Sequence, residues 1–360
     1  MLHAIIMAGG SGTRFWPKSR RDRPKQLLRL FGDATMLQQT VARIEPLVPR
    51  ERVVIVTGAN QAEATHAQLP ELPPENIVAE PCPRDTAACV GLAAWIVRKK
   101  DSHGTMIVMP ADHVIEPAAV FLATVQAASS VIENDPTALI TFGIKPTRPE
   151  TGYGYIERGE LLETREGIAV NRVVQFREKP DRATAESFVA AGNFAWNSGI
   201  FVWKARTILD ELERHRPQLA AALARVGAAL GSASEREVIA LEYPRMERAP
   251  IDKAVMEKAA NVLVLEVRYD WNDVGDWRSL ADLLPQDPQG NAIQGDVLAH
   301  ETTNSIIISD DDGGLIATLG LDDVVVVQSG KATLVARRSQ LDKLKGLVED
   351  LGNKGYGEYL

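Results

Sequence analysis

The chain has 360 residues, of which 45% are hydrophobic and 24% are charged, and its formal net charge is −8. This length predicts two domains, and the composition excludes a largely disordered chain. The negative net charge argues against a protein whose general function is to bind nucleic acid or membrane surfaces. The two cysteines, Cys82 and Cys89, form no zinc-binding pattern with the six histidines. Because this cysteine usage is typical of a reducing compartment, we expect a cytoplasmic protein.

Short apolar runs alternate with longer amphipathic stretches in the first part of the chain. The runs predict strands at Leu2–Ala8, Arg52–Thr57, Asn76–Ala79, Thr105–Met109 and Ala138–Gly143. The stretches between them predict helices, including Met36–Leu47, Thr86–Val97 and Val120–Ile132. This alternation is typical of a parallel sheet that helices cover on both faces. Since ligands bind beyond the carboxyl ends of such strands, the residues that follow each run are candidates for a site.

The pattern changes after Pro146. Strands rich in glycine and aromatic residues are predicted at Tyr153–Glu157, Arg172–Phe176 and Phe194–Trp203. Two helices and a strand follow, at Ala205–His215, Gln218–Leu230 and Val262–Val267. The segment Leu284–Gly290 contains two prolines and a glycine and predicts a domain boundary. Beyond it, short strands joined by tight turns suit a few coils of a β-helix. The chain then closes with a predicted helix whose apolar face consists of Leu341, Leu344, Val348 and Leu351.

The first predicted strand leads directly into the segment Gly9-Gly10-Ser11-Gly12-Thr13-Arg14. Its glycines let the backbone approach a ligand and point N–H groups at phosphate oxygens. A P-loop would need a glycine where Arg14 stands, and a dinucleotide-binding fingerprint would need one where Phe15 stands, so both are excluded. From Arg14 to Arg29 there are seven Lys or Arg residues and one acidic residue. This excess predicts an anionic ligand such as a polyphosphate, with a solvated basic loop as the alternative.

Five motifs in order give the chain a family resemblance. Residues 9–17 (GGSGTRFWP) with 23–26 (RPKQ) match the signature G-G-x-G-x-R-x-x-P…P-K of the sugar-nucleotide pyrophosphorylases. Four further matches follow at 110–113 (PADH), 176–180 (FREKP), 196–201 (WNSGIF) and 271–275 (WNDVG). The chain therefore resembles this family from about Ala4 to Trp277.

The resemblance implies a fold and a domain organisation. We expect an α/β fold with a Rossmann-like, mixed and mainly parallel sheet flanked by helices in a catalytic domain over residues 1–284. A small β-rich, short β-helix-like domain is expected over residues 289–360. This second domain carries none of the motifs, so we expect it to have a structural role. Its apolar strands Ser305–Ile308 and Val324–Val327 would need cover from the first domain or from a partner in a homodimer.

The resemblance also implies a reaction. GTP and mannose 1-phosphate would give GDP-mannose and pyrophosphate, with Mg²⁺ as cofactor and in-line attack of the sugar phosphate on the α-phosphorus. Because the second pKa of a phosphate monoester is about 6, the nucleophile is already ionised at neutral pH and no general base is expected. The alternatives are a related enzyme using glucose 1-phosphate with dTTP or UTP, and a non-catalytic regulatory subunit of the same fold.

The resemblance assigns catalytic roles to four residues. Arg14 would contact the α- and β-phosphates and the leaving pyrophosphate, and Lys25 the transferred phosphoryl group. Asp112 and Asp273 would bind Mg²⁺. The presence of all four residues favours an enzyme over a regulatory subunit.

Substrate-binding roles follow for two further groups of residues. The nucleotide would be bound by Gly9, Gly10, Ser11, Gly12, Thr13, Glu80 and Thr86. Among these, Glu80 is the candidate acceptor for the N1–H and amino group of guanine. The sugar phosphate would be bound by Gly154, Glu178, Lys179 and Asn197. In this group, Lys179 would contact the phosphate and Glu178 the vicinal hydroxyls.

Overall fold

The computed structural model describes residues 1–10, 12–310 and 314–360. Up to residue 272 its strands are β1 (Leu2–Met7), β2 (Val53–Gly58), β3 (Ile77–Glu80), β4 (Thr105–Pro110), β5 (Val114–Glu116), β6 (Leu139–Ile144), β7 (Gly154–Arg165), β8 (Ile168–Glu178), β9 (Phe194–Lys204), β10 (Val262–Glu266) and β11 (Asp270–Asn272). Nine of them form one sheet in the order β3-β2-β1-β4-β9-β6-β10-β8-β7, and β5 pairs with β11. Seven of the nine run in one direction, and β8 and β9 run in the other. The structure confirms the mixed, mainly parallel sheet.

Helices cover both faces of this sheet. They are α1 (Met36–Ile44), α2 (Ala62–Gln68), α3 (Asp85–Lys100), α4 (Ala118–Asn134), α5 (Arg182–Ala191), α6 (Ala205–His215), α7 (Pro217–Ala229), α8 (Glu235–Glu242) and α9 (Trp277–Ala281). Helices α1 and α4 pack in the core on one face, and α3, α6 and α7 pack in the core on the other. The strands are continuously apolar because both faces are buried: Ala4, Ile5 and Ile6 of β1 are all 0% exposed.

The hairpin of β7 and β8 is longer than the sequence predicted. The predicted strands Tyr153–Glu157 and Arg172–Phe176 cover only its inner part. In β7 the rest of the strand, residues 158–165, is not buried and Leu161 is 54% exposed, so no buried apolar alternation marks that part. In β8, Val170 is buried where the strand pairs with β10. The structure also contains α2, α5 and α8, which the sequence analysis did not predict.

The C-terminal part is β-rich, as predicted. Its strands are β12 (Ala292–Gln294), β13 (Val297–His300), β14 (Ile306–Ser309), β15 (Ile316–Leu319), β16 (Val324–Ser329) and β17 (Ala332–Arg337). Strands β12, β14 and β16 lie parallel side by side, and β13 pairs in parallel with β15, as in coils of a β-helix. Helix α10 (Leu344–Asn353) follows a 3₁₀ turn over Arg338–Lys343. The prediction that Leu341 lies in the closing helix was therefore wrong, because the chain turns tightly between β17 and α10.

The apolar face of the C-terminal domain packs against the first domain. One core joins Ile306, Ile308, Val325 and Val327 to Phe15, Trp16, Val274 and Trp277. The indole N–H of Trp16 donates to the backbone oxygen of Tyr359 at 2.8 Å. The ammonium of Lys18 lies 2.8 Å from Asp310, and Arg20 donates to the backbone oxygen of Ser329 at 3.2 Å. The C-terminal domain therefore braces the segment that follows the glycine loop. A homodimer stays a prediction.

No helix among the residues described is both long and apolar enough to span a bilayer.

Truncation at Pro285 is expected to destabilise the remaining domain. It would expose Phe15, Trp16 and Trp277, which are buried in the shared core. Burial of one large apolar side chain contributes about 1.5–3 kcal/mol, and a domain is stable by about 5–15 kcal/mol in total. Thermal unfolding of the truncated and full chains measures the loss. Leu319→Ala, at a side chain that is 70% exposed, is the control and is expected to leave the melting temperature nearly unchanged. An unaltered melting temperature after truncation would contradict this role.

Candidate active site

A cavity of about 310 Å³ lies beyond the carboxyl ends of β1 and β4. Its lining residues are Gly12, Thr13, Arg14, Phe15, Lys25, Asp112, His113, Asp273 and Gly275. These include all four predicted catalytic residues, which come from four separate segments of the chain. This is the edge of the sheet at which ligands bind in open α/β folds.

The glycine loop has a backbone conformation that requires glycine at two positions. Gly10 and Gly12 have φ angles of 112° and 60°. A Cβ atom on Gly12 would also lie 2.6 Å from the Cβ of Lys25, so the loop can approach Lys25 only without a side chain there. Ser11, predicted to bind the nucleotide, lies outside the described residues.

Three side chains that the sequence analysis did not assign hold this loop. Gln26 donates to the backbone oxygen of Ala8 at 2.7 Å, and Ser19 donates to that of Gly12 at 2.6 Å. Gln61 donates to the backbone oxygen of Gly10 at 3.3 Å. Gln26 directly follows the P-K pair of the signature. This position next to a motif was the one sequence feature that could have marked it as a residue of the site. These contacts engage backbone oxygens of the loop rather than N–H groups, and N–H groups are what such loops turn towards an anion.

Lys25 connects the two predicted metal ligands. Its ammonium donates to Oδ2 of Asp112 and to the backbone oxygen of Asp273, both at 2.7 Å. Asp112 follows β4 and Asp273 follows β11, so the fold brings together residues that are far apart in sequence. Burial raises the pKa of the Asp112 carboxyl, but the ammonium of Lys25, the neighbouring His113 and hydrogen bonds to the carboxylate together lower it by more, so the net shift is downward. Asp112 is therefore an anion at neutral pH.

Two aromatic residues position the groups around Asp273. The hydroxyl of Tyr153 donates to Oδ1 of Asp273 at 2.8 Å. The indole N–H of Trp271 donates to Nδ1 of His113 at 3.2 Å. Burial lowers the pKa of His113, so its imidazole is neutral near pH 7 and accepts this hydrogen bond. A Cβ atom on Gly275 would lie 3.1 Å from Oδ2 of Asp273, so glycine keeps that oxygen accessible.

The basic segment divides into two groups with different contacts. Arg14 is exposed and lines the cavity together with Lys25. Lys18 and Arg20 instead contact the C-terminal domain. The interpretation of the whole segment as an anion site was therefore too broad, because charge counting cannot separate a ligand-facing cation from one that pairs with another domain.

The predicted nucleotide-binding residues Glu80 and Thr86 are not among the residues that line the cavity, and Glu80 lies beside the glycine loop. Glu80 ends β3, and a Cβ atom on Gly9 would lie 3.8 Å from its Oε2. The hydroxyl of the buried Tyr243 donates to Oε1 of Glu80. Burial raises the pKa of the Glu80 carboxyl, and the hydrogen bond from Tyr243 lowers it by less. The hydroxyl oxygen of Thr86 accepts from the backbone N–H of Ile251 at 2.7 Å.

The predicted sugar-binding residues meet where β7, β8 and β9 pair. Gly154 lies opposite Glu178, and a Cβ atom on Gly154 would lie 2.7 Å from Oε2 of Glu178 and 3.6 Å from Cβ of Asn197. Lys179 has a φ of 46°, is largely exposed, and has its ammonium 3.3 Å from Oε1 of Glu178. Its backbone N–H donates to the oxygen of Tyr153 at 3.2 Å. Tyr153 thus joins this cluster to Asp273.

The oxygen donors of the cavity suit a hard cation whose coordination shell is completed by substrate oxygens and water. No cluster of three or more His, Cys, Asp or Glu side chains in the described ranges could hold a metal ion. Asp112 and Asp273 each use one carboxylate oxygen for Lys25 or Tyr153, which leaves their second oxygens for a cation. Magnesium commonly takes one or two carboxylates and completes its shell with phosphate oxygens and water.

Comparisons with known proteins show which family the chain resembles. A nucleotidyl transferase family model matches residues 3–290, and a mannose-phosphate isomerase/GMP-like β-helix domain model matches residues 295–351. Mannose-1-phosphate guanylyltransferase of Escherichia coli K12 is 38% identical over 99% of this chain and 75% of its own length. The Klebsiella pneumoniae protein of that name is 40% identical over 100% of this chain and 76% of its own length.

A solved structure covers nearly the same length. It is a Thermus thermophilus protein described as a mannose-1-phosphate geranyltransferase, 35% identical, with a TM-score of 0.85 over 98% of this chain and 99% of its own. The resemblance seen in the motifs is confirmed over the whole length of the chain. The chain therefore belongs to the nucleotidyl transferase family and is similar throughout to mannose-1-phosphate guanylyltransferases.

Proposed function

We propose that the chain is a mannose-1-phosphate guanylyltransferase, which makes GDP-mannose and pyrophosphate from GTP and mannose 1-phosphate. The observation that carries this proposal is the convergence of Arg14, Lys25, Asp112 and Asp273 on one cavity beside the glycine loop. The chain is similar over its full length to mannose-1-phosphate guanylyltransferases, which supports the choice of guanine and mannose over other bases and sugars.

The reaction needs positioning and charge neutralisation more than proton transfer. A phosphate oxygen of mannose 1-phosphate bonds to the α-phosphorus of GTP, and the bond from that phosphorus to the bridging oxygen breaks with its electron pair on pyrophosphate. The nucleophile is already an anion at neutral pH, so no base is needed. Arg14 holds the pyrophosphate oxygens, and Lys25 stabilises the charge on the transferred phosphoryl group. The glycine loop directs its N–H groups at the same oxygens.

A divalent cation, specifically Mg²⁺, would be held by the carboxylates of Asp112 and Asp273. When bound, it supplies positive charge to the phosphate oxygens of both substrates. Lys25 holds Asp112 ionised and in place for it, and Tyr153 orients the carboxylate of Asp273.

The remaining assignments follow from position. Residues 1–284 form the catalytic domain, and residues 289–360 form the domain that braces it. On the nucleotide side, Gly9, Gly10, Ser11, Gly12 and Thr13 bind phosphate and ribose, Glu80 accepts from guanine, and Thr86 contacts the nucleotide. On the sugar side, Gly154 gives room for the ring, Glu178 accepts from its hydroxyls, Asn197 binds the sugar, and Lys179 turns towards the phosphate. A cytoplasmic location stays a prediction.

A pyrophosphate-release assay tests the function. It crosses GTP, ATP, UTP and dTTP with mannose 1-phosphate, glucose 1-phosphate and N-acetylglucosamine 1-phosphate. We expect the highest kcat/KM for GTP with mannose 1-phosphate. A preference for glucose 1-phosphate with dTTP or UTP would replace this proposal by the related enzyme, and the absence of turnover with every pair would indicate the regulatory subunit.

A further inference from the structure

The side-chain amide of Asn197 is held in one orientation by three partners. Its Oδ1 accepts from the hydroxyl of Thr141 at 3.1 Å and from the backbone N–H of Gly199 at 3.2 Å. Its Nδ2 donates to Oδ1 of Asp252 at 2.6 Å. Because two donors face its oxygen and an acceptor faces its nitrogen, the orientation with the amide oxygen and nitrogen exchanged is excluded. Asn197 therefore offers its one remaining N–H in a fixed direction.

Asp252 lies on a segment that touches both halves of the site. Within residues 249–252, the oxygen of Ala249 accepts from the N–H of Ala87 at 3.0 Å, and the N–H of Ile251 donates to the hydroxyl of Thr86 at 2.7 Å. Asp252 then begins a π-helical turn over Asp252–Met256. Such turns are rare and are frequent at functional sites. The segment thus runs from the start of α3, on the nucleotide side, to Asn197 on the sugar side.

The carboxylate of Asp252 has a hydrogen-bond donor but, within the described ranges, no cationic partner. Among the residues that the structure describes, no Lys or Arg forms an ion pair with it. Burial raises the pKa of the Asp252 carboxyl, and the nearby carboxylate of Glu178 raises it further. The hydrogen bond from Asn197 lowers it by less, so the net shift is upward. A carboxylate that is partly buried without a counter-ion costs stability unless donors satisfy it. Asn197 supplies one donor, and a hydroxylated ligand in the neighbouring cluster of Gly154 and Glu178 would supply others.

We propose that Asp252 is a positioning residue for the sugar phosphate, whose carboxylate fixes the amide of Asn197 so that the free N–H donates to a sugar hydroxyl. This inference rests on the proposed function. It makes Asp252 act through Asn197, while Glu178 accepts from neighbouring hydroxyls. No motif of the sequence analysis includes Asp252, and its place beside Asn197 is set only by the fold.

The test compares Asp252→Ala with Asp252→Asn in steady-state assays of the full chain. Loss of the acceptor in Asp252→Ala frees the amide to rotate and is expected to raise the KM for mannose 1-phosphate about tenfold, with the KM for GTP unchanged. Asp252→Asn keeps an oxygen that can accept from Asn197, so the KM is expected to stay within about threefold of wild type. Thr141→Val removes a donor from the other end of the amide and is expected to raise the same KM.

A matched control comes from a second Asp–Asn pair. Asn261 donates to Oδ2 of Asp135 at 2.9 Å, at the opposite ends of β6 and β10 from the site. Asp135→Ala is expected to lower the melting temperature without changing either KM. Equal increases in both KM values for Asp252→Ala, or an unchanged KM for mannose 1-phosphate, would overturn the proposal. Should Asp252→Ala fail to fold, an unchanged KM in Thr141→Val would overturn it.

The proposed function and the role of Asp252 are tested by different results. If the wild type prefers another nucleotide and sugar phosphate, the substrate assignment is wrong, and the same comparison of KM values is made with the preferred pair. A selective rise in the KM for that sugar phosphate would then still support the role of Asp252.

Discussion

Lys25→Ala is expected to lower kcat about 10²–10³-fold with little change in the KM for either substrate. Its ammonium is the group that joins Asp112 to the backbone of Asp273 at the wall of the cavity, and loss of one charge-assisted contact in the transition state costs about 3–4 kcal/mol. The fold is expected to survive, because the Asp112 side chain is 34% exposed and water can replace the lost partner. Single-turnover rates and thermal unfolding of the variant separate these two effects.

The same variant has an expected pH signature. Burial raises the pKa of Asp112, and Lys25 is among the groups that together lower it by more. Removing Lys25 therefore raises the pKa of this carboxyl, and the fall in rate on the acid side moves to higher pH. Lys18→Ala is the control, because Lys18 pairs with Asp310 outside the cavity. A Lys25→Ala enzyme with near wild-type turnover and an unshifted acid side would contradict the role of Lys25.

The sequence predicted where two parts of the candidate site lie, but not the contacts between them. Asp112 could be placed at the ligand-binding edge because it directly follows a continuous apolar strand, and the glycine loop because it follows another. The contact of Lys25 with the backbone oxygen of Asp273 had no signal, because a residue 248 positions away contributes only its main chain. Periodicity predicts which face of an element is buried, and it does not predict which distant loop closes over that face.

The C-terminal domain shows the same limit on a larger scale. Its strands were predicted from turn spacing, and its structural role is a prediction from the absence of motifs. Its docking place did not, because Trp16 belongs to the signature by sequence and to the shared core by structure. A residue within a signature can therefore serve packing between domains, although Arg14, two positions before it, faces the cavity.

Asp273→Asn is expected to abolish most turnover while GTP binding persists. The substitution nearly keeps shape and volume, so the fold and the hydrogen bond from Tyr153 to the remaining side-chain oxygen are retained. It removes one of two negative charges from the proposed cation site, whereas Arg14, Lys25 and the glycine loop, which hold the nucleotide, are unchanged. The measurements are steady-state turnover as a function of Mg²⁺ concentration and GTP affinity by calorimetry. Asp270→Asn, three residues upstream and exposed, is the control and should behave as wild type.

The response to Mg²⁺ separates a metal ligand from a turn residue. A ligand that loses its charge weakens metal affinity, and mass action offsets that loss, so higher Mg²⁺ should partly restore the rate of Asp273→Asn. A residue that only shapes the turn before Gly275 would change the rate, if at all, by the same factor at every Mg²⁺ concentration. Full activity with the wild-type Mg²⁺ dependence would place the cation elsewhere in the cavity. A rate that recovers with Mg²⁺ while GTP affinity stays constant would assign Asp273 to the metal and leave nucleotide binding to the loop.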